Sequence, residues 1–590
     1  MKSNLRIFLS FVTALILILF ISGYTKAQDT LHVEGHIFVP QAETLEIAAG
    51  TVVFFHGYYH IWVEGTLLAN GTEEQPILFT AADTTLLYDT HVAEGGWMGL
   101  YFLAEDENHK NQASEMKYCI LEYAKSSKFD FQNGGAVNIT GPMQVNIENC
   151  VFRHNYSYRR GGAIYIEGNN ARVSRNHFYN NTALNTEQEL WTYGGAIYLT
   201  AGRPEISWNR FEENFASGIG GALAVETADP HVFNNIIHNN NSPLGGGIGI
   251  LRSDGANVFS NNLITNNFSE FFGGGIAFIE ASAIITNHTI LNNYAAYGGG
   301  LYFNEISSPE FYNCIVRDNL VHTGSNQVFI WDSQSAPDFY NCNMEGGFDA
   351  FDGGAVGDGF LGVYQDNIDE DPLFADPQNM NFSLLHDSPS VDTGYDGPDS
   401  PDIFPEDLAG NTRFSGPAID MGAFEFQYNY YNLIISVEGM GETDPAAGEH
   451  SFYEGASFVI AATPHENWRF DHWVTPWGEN QEDTLQIEIL DDMEITAVFE
   501  PETGMHAEEY ESWQVYPNPV KNFLSIKRSA EQLTPAVITV KTLCDTQLFK
   551  TKTDQRNFII PFSFEQLSSG IYLIVVETSD YKEIFKIIKP

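Results

Sequence analysis

Lysine is missing from a very long stretch of this chain: none occurs between Lys128 and Lys521. Basic side chains number 28 against 77 acidic ones, a formal charge of −49. Nucleic-acid binding needs a basic footprint, so this balance argues against that partner class. It suits an exported protein, or one that collects divalent cations. Apolar runs are equally scarce. The only long one spans Ile7 to Ile21, short of the roughly 20 residues of a membrane span. Lys2 and Arg6 precede it and Thr25-Lys26-Ala27 follows, which reads as an export signal cut between Ala27 and Gln28 rather than an anchor. The mature chain, with no transmembrane segment, is expected outside the cytoplasm, secreted or on the outer cell surface. Also missing are helical periodicity and any tripeptide of a nucleophile elbow, phosphate loop or metal-ligand cluster.

What the chain does have is a repeat. Glycine pairs begin at residues 134, 161, 194, 220, 245, 273 and 298, spaced by 27, 33, 26, 25, 28 and 25 residues. They open phrases such as GGAVNI, GGAIYI, GGAIYL, GGALAV and GGGIGI, and an apolar-x-x-Asn box follows each: FRHN, FYNN, FEEN, IHNN, ITNN, ILNN and VRDN. Short alternating segments between turn residues are strands. A coil of about 26 residues holding two or three of them is the unit of a parallel solenoid, with like residues stacked ~4.8 Å apart. Glycine suits a corner shared by every coil. Asn155, Asn181, Asn214, Asn240, Asn267, Asn293 and Asn319 would then form an amide ladder. The expected fold is all-β: a right-handed parallel β-helix, then small β-rich modules and a C-terminal β-sandwich.

Five cysteines are present, and Cys150, Cys314 and Cys342 each follow an asparagine. Cys314 and Cys342 lie one coil apart, within disulfide range if stacked, and Cys119 and Cys150 form a similar pair. Two bridges and free buried thiols both remain open. Cys544 has no obvious partner.

The GGA and FxxN tetrapeptides resemble the repeat of polymorphic outer-membrane proteins, over roughly residues 134 to 320. The resemblance implies a β-helical adhesin. LEIAAGTVVFF and GGWMGLYF resemble first coils of right-handed β-helix proteins, so the solenoid is expected over residues 28–350. In residues 351–428, the DPLF, SPSVDTG, DLAGNTR and DMGAFE pieces resemble the choice-of-anchor Q domain. Such a segment would cap the open solenoid end against edge-to-edge association. Residues 429–501 resemble the divergent internalin B-repeat, a small surface module. There Trp468, Trp473 and Trp477 could form a carbohydrate platform, but Phe470 and Trp473 as core residues are the preferred reading. An acidic linker, 502–512, leads to residues 513–590. Their Tyr516-Pro517-Asn518-Pro519, Gly570 and Tyr572 resemble the type A sorting domain of type IX secretion. The resemblance implies docking to the outer-membrane translocon and removal of the tail, leaving the protein anchored or released. Eight lysines in this tail mark a separate module.

Charged residues of the solenoid are the candidates for catalysis. Arg159 and Arg160 beside Gly161 could line a groove with Arg175 and Arg210, and the solenoid also carries Arg153, His154, His177, His231 and His238; solvated turn residues are the preferred reading. The lysine gap removes one common base of a polysaccharide lyase. Glu167, Glu226 and Glu280 recur about six residues after a glycine pair, as paired carboxylates of a hydrolase, an exposed acidic face or a weak Ca²⁺ stripe would. No other cofactor is indicated. The favoured reading is a surface-displayed binding or adhesive rod for a polysaccharide or other cell-surface ligand. The alternative is a carbohydrate-active enzyme, a polysaccharide lyase or glycoside hydrolase.

Overall fold

The computed structural model describes residues 29–89, 92–103, 113–129, 132–185, 191–322, 327–354, 359–397, 401, 403–502, 513–528, 535–543, 546–579 and 582–590. Ala27, Gln28, Cys544 and residues 503–512 of the linker lie outside them. The chain divides into two compact units, Met1–Tyr428 and Asn429–Pro590.

In the first unit the repeat winds into a right-handed parallel β-helix. One coil holds four short strands rather than two or three: Val151–Arg153, Tyr156–Ser157, Ile164–Glu167 and Arg172–Ser174. Each pairs in parallel with its counterpart one coil on, at His177–Tyr179, Thr182–Ala183, Ile197–Thr200 and Glu205–Ser207. Alternation sends Phe152, Phe178 and Phe211 inward, their rings stacked at 4.9 and 4.8 Å. Ile166, Leu199, Val173 and Ile206 complete the same continuous core. Burial of this apolar column, at ~25 cal/mol per Å², is the main force holding the coils together.

The paired asparagines of FYNN, IHNN, ITNN and ILNN now have separate tasks. The first of each pair turns the corner: Asn180, Asn239, Asn266 and Asn292 have φ of 55–56°, a left-handed conformation that asparagine tolerates better than most L-residues. The second points inward. Asn181 Nδ2 donates to Asn214 Oδ1 at 2.9 Å and to Phe152 O at 2.8 Å, and Asn214 Nδ2 donates to Asn240 Oδ1 at 2.9 Å. The same bond runs from Asn155 to Asn181, from Asn240 through Asn267 to Asn293, and on to Asn319, where Gln327 takes the last amide. Glycine is required at the next corner. Gly161 has φ of 62°, and a Cβ on Gly162 would lie 2.0 Å from Gly195 O.

A second column explains the cysteines. Asn176, Asn209, Asn235 and Asn262 form an identical buried ladder, joined at 2.9–3.0 Å. Cys150 N donates to Asn176 Oδ1 at 2.8 Å and Cys119 N to Cys150 Sγ at 3.4 Å. At the other end Asn262 meets His288 Nε2 at 3.1 Å, His288 N donates to Cys314 Sγ, and Cys314 N to Cys342 Sγ. Of the two readings left open, bridges and free buried thiols, the structure has the second: Cys119, Cys150, Cys314 and Cys342 are free and buried. Their sulfurs occupy ladder positions, turned toward the neighbouring rung's N–H and toward strand carbonyls such as Ala69 O and Met116 O.

One boundary and one role also differ from the sequence reading. The solenoid runs past residue 350, since Phe351–Gly353 and Tyr364–Gln365 complete another rung. Phe348, Phe351, Phe360 and Tyr364 pack together over the end of the core. The following segment, 372–428, does not cap that end. It returns along one flank, where Phe382, Leu408 and Ala423 cover Leu263 and Leu291, and Leu384, Val391 and Met421 cover Ile315. The physical reason is that these coils present apolar residues outward on that face, as Ile236, Leu263, Leu291 and Ile315 do. Its DLAGNTR and DMGAFE pieces build a buried network in which Arg413 pairs with Glu425 and donates to Asn261 Oδ1 at 2.8 Å.

In the second unit, residues 430–501 form a five-stranded and a three-stranded sheet. Trp473 is fully buried in their core, Phe470 packs against it, and Trp477 is exposed. Residues 513–590 form a sandwich of three- and four-stranded sheets around Leu524, Ile538 and Ile574. Asn518 of the sorting motif clasps the last strand, accepting from Ile588 N at 2.8 Å. Tyr572 donates to Ser568 O at 2.9 Å.

Candidate functional site

In successive coils one strand carries an outward-facing residue between two inward apolar ones. Register stacks these into a column: Trp62, Tyr101, Asn138, Tyr165, Tyr198 and then Ala224. Trp62 and Tyr101 stack at 6.2 Å, and Tyr165 and Tyr198 at 5.5 Å with rings 12° apart. Asn138 interrupts the rings. Tyr101 and Tyr165 are two rungs apart, about 9.6 Å at the usual strand spacing, and between them opens a cleft of 230 Å³.

Polar groups ring this gap. Asn133, Asn138, Thr140 and Glu167 line it with Trp62, Tyr101 and Tyr165. Asn133 Oδ1 is buried and has no hydrogen-bond partner among the described residues. Tyr165 donates its hydroxyl to Glu167 Oε2 at 2.9 Å. One coil further on, the Tyr198 hydroxyl donates to Glu226, which also pairs with Arg252 and lies 3.8 Å from Arg160. The Arg160 guanidinium rests over the Tyr198 and Tyr193 rings at 5.0 and 5.6 Å. Burial pushes the Tyr165 and Tyr198 phenols well above their ordinary value. Both are therefore neutral hydrogen-bond donors at physiological pH, suited to orienting a ligand rather than taking its proton.

The charged residues singled out from sequence are divided between faces. Arg160 belongs to the tyrosine column, whereas Arg175 and Arg210 line a different cleft, of 580 Å³, with His177 and Trp208. The four arginines do not share a groove because Arg159 and Arg160 precede the glycine corner, while Arg175 and Arg210 flank the corner before the next FxxN strand. Two of these arginines are paired locally, Arg153 with Glu122 and Arg210 with Glu212, whereas His177, its pKa lowered by burial, is an uncharged neighbour of Glu212. His154 stacks on Tyr123, His231 meets Phe233 and Phe404, and His238 lies against Asn266. The three glutamates do not form a stripe. Glu167 and Glu226 share a column with Thr200 between them. Glu280 is displaced by one residue, since Ile279 occupies that column and Glu280 turns the corner with φ of 51°. Among the described residues no group of three or more His, Cys, Asp or Glu is placed to hold a metal ion.

The tyrosine column escaped sequence reasoning, although its signal lies inside the repeat. HIWV, GLYF, AIYI and AIYL carry an aromatic at the outward place, where AVNI has Asn138 and ALAV has Ala224.

Comparison with known proteins is consistent with this architecture. A family model described as a right handed beta helix region matches residues 109–283, and one described as a secretion system C-terminal sorting domain matches residues 514–590. No curated protein matches the chain. The tail marks the protein for secretion to the outer cell surface. Among the described residues no helix is long and apolar enough to cross a membrane.

Proposed function

We propose that this secreted, surface-displayed β-helix is a glycan-binding adhesive protein whose ligand seats a sugar ring in the gap at Asn138. The observation that carries this reading is the cleft itself: aromatic faces above and below, and amide, hydroxyl and carboxylate groups at its edge. Sugar rings present apolar C–H faces to aromatic rings and hydroxyls to such polar edges. At 230 Å³ the gap is smaller than the roughly 300–1,000 Å³ of drug-sized pockets, which fits one ring rather than an enclosed oligomer. The rest of a polysaccharide would lie along the column.

Glycan-array binding of the full chain tests this, with Asn138→Tyr as the decisive variant. Tyrosine at this outward position continues the ring stack and fills the gap without touching the core. Binding by wild type that disappears in Asn138→Tyr supports the reading; equal binding by both refutes it. The Arg160–Glu226–Arg252–Tyr198 cluster favours a second reading, a polysaccharide lyase or glycoside hydrolase. Unsaturated or newly reducing sugar ends after incubation with a bound glycan would replace the first reading by the second.

A further inference from the structure

The corner that precedes each FxxN strand carries a column of left-handed residues: Tyr118, Asn149, Arg175, Trp208, Asn234, Asn261, Asn287 and Asn313, with φ from 48° to 57°. Downstream of Trp208 this corner is occupied by the chain itself. Asn234 donates to Asp407 O, Asn261 to Glu406 O, Asn287 to Asp420 O and Asn313 to Tyr395 O, at 2.8–3.2 Å. The flank ends at Trp208, where a Cβ on Gly410 would meet the indole at 3.7 Å. Upstream the corner is open and holds the 580 Å³ cleft, within the size range of ligand pockets.

Residue type changes where the flank stops. The asparagines that meet main-chain carbonyls give way to Trp208 and Arg175, with Arg210 and His177 beside them and Asn149 beyond. Arg175 lies over the Trp208 ring at 5.3 Å, a contact that holds an arginine in place without spending its charge. Seven arginines fall between residues 153 and 210. Arg153, Arg160, Arg172, Arg203 and Arg210 each have a carboxylate partner. Arg159 and Arg175 have none among the described residues, and of the two only Arg175 lines this cleft. In a chain of net charge −49, a fixed, exposed cation without an acid beside it, at the lip of a large cleft, is a site for an anion. Glu73 also lines the cleft; it disfavours a second negative group near it and so limits the ligand to spaced charges.

We infer that this open stretch of the corner is a second binding site, selective for a saccharide unit bearing a carboxylate or a sulfate. The charged group meets the Arg175 fork, the ring lies in the cleft, and neighbouring hydroxyls reach Asn149 and His177. The site is separate from the Asn138 gap and does not rest on the function proposed for it.

Isothermal titration of the full chain tests this with four probes: hexagalacturonate, a sulfated heparin hexasaccharide, neutral maltohexaose and hexaglutamate peptide. At least one charged saccharide is expected to bind more tightly than maltohexaose and hexaglutamate, and the two charged sugars separate carboxylate from sulfate. Arg175→Gln should weaken that binding by about tenfold or more, the worth of a charge-assisted contact. Arg203→Gln, an exposed arginine 3.8 Å from Asp229, and Asn138→Tyr should leave it within about twofold. The inference is overturned if neither charged saccharide binds, if hexaglutamate binds as tightly, or if Arg203→Gln costs as much as Arg175→Gln. Charged-sugar binding lost in Asn138→Tyr but kept in Arg175→Gln would place the ligand at the tyrosine column, overturning this inference alone.

Discussion

Adjacent asparagines 180 and 181 have identical side chains and opposite environments, so alanine at each position separates the two tasks. Asn181→Ala removes the acceptor for Asn155 N–H, at 3.2 Å, and for Asn155 Nδ2, at 2.9 Å. Both donors stay buried. Leaving a buried donor unpaired costs ~1–3 kcal/mol, so the pair costs roughly 2–6 kcal/mol before any cavity effect. Asn180 is exposed with φ of 56°, and alanine there costs only the left-handed strain, ~1 kcal/mol. In a solenoid each coil contacts only its neighbours, so the loss should stay near the altered rung and global melting would blur it. Native-state hydrogen exchange with peptide resolution is the suitable assay. Amides of residues 150–183 should exchange at least about thirtyfold faster in Asn181→Ala and about fivefold faster in Asn180→Ala, at ~1.4 kcal/mol per decade. Equal effects, or a larger one from Asn180→Ala, would refute the ladder as a source of stability.

Other consequences can be measured on the same columns. Cys150→Asn should extend the second ladder toward Met116 O and Asn176 Oδ1 and slow exchange in that rung, by about 1 kcal/mol for each new hydrogen bond. Hydrogen bonding to Cys150 together with burial raises the Cys119 thiol, and burial raises the Cys314 thiol, well above the ordinary value; no labelling of Cys119, Cys150, Cys314 or Cys342 by iodoacetamide is expected at pH 8 until denaturant is added, and no mass change on reduction. His288 is fully buried and its pKa is lowered to about 4 by desolvation. An unfolded histidine takes its proton near pH 6.5, so the rung is fully stable above that value and loses up to about 3 kcal/mol as pH falls to 4. His288→Asn should remove this acid sensitivity from exchange in residues 284–293, after correction for intrinsic rates.

Coil pitch is visible in the sequence because every coil repeats the same steric demand: a left-handed glycine at 161 or 194, and close approach at 162 or 195. The regular spacing of Asn155 to Asn319 is visible for the same reason. The second ladder is not, because its positions accept asparagine, histidine or cysteine. Each type fills the same small buried place and offers an acceptor to the next N–H, so physical equivalence does not appear as identity. The outward column is hidden differently. Trp62, Tyr101, Asn138 and Ala224 point away from the core, where register fixes the position but not the residue type, although Tyr101, Asn138 and Ala224 are themselves covered by their neighbours. The flank's position depends on contacts such as Asn234 with Asp407, which no local pattern in a proline-rich, non-repeating segment encodes.

These columns also show how one repeat can separate stability from recognition. Inward positions are constrained by the rung above and the rung below, so Asn214 cannot change without exposing the needs of Asn181 and Asn240. Outward positions answer to one neighbour on each side and to whatever approaches from outside. A single departure there, Asn138 between Tyr101 and Tyr165, opens a gap whose depth is one side chain and whose walls are already rigid, because strand pairing fixes both tyrosines at the backbone. The corner column works the same way: asparagine where the chain closes over itself, arginine and tryptophan where it does not. Recognition on this scaffold therefore needs no dedicated loop or extra element, only a break in a run of like residues on the outer side of an unbroken ladder.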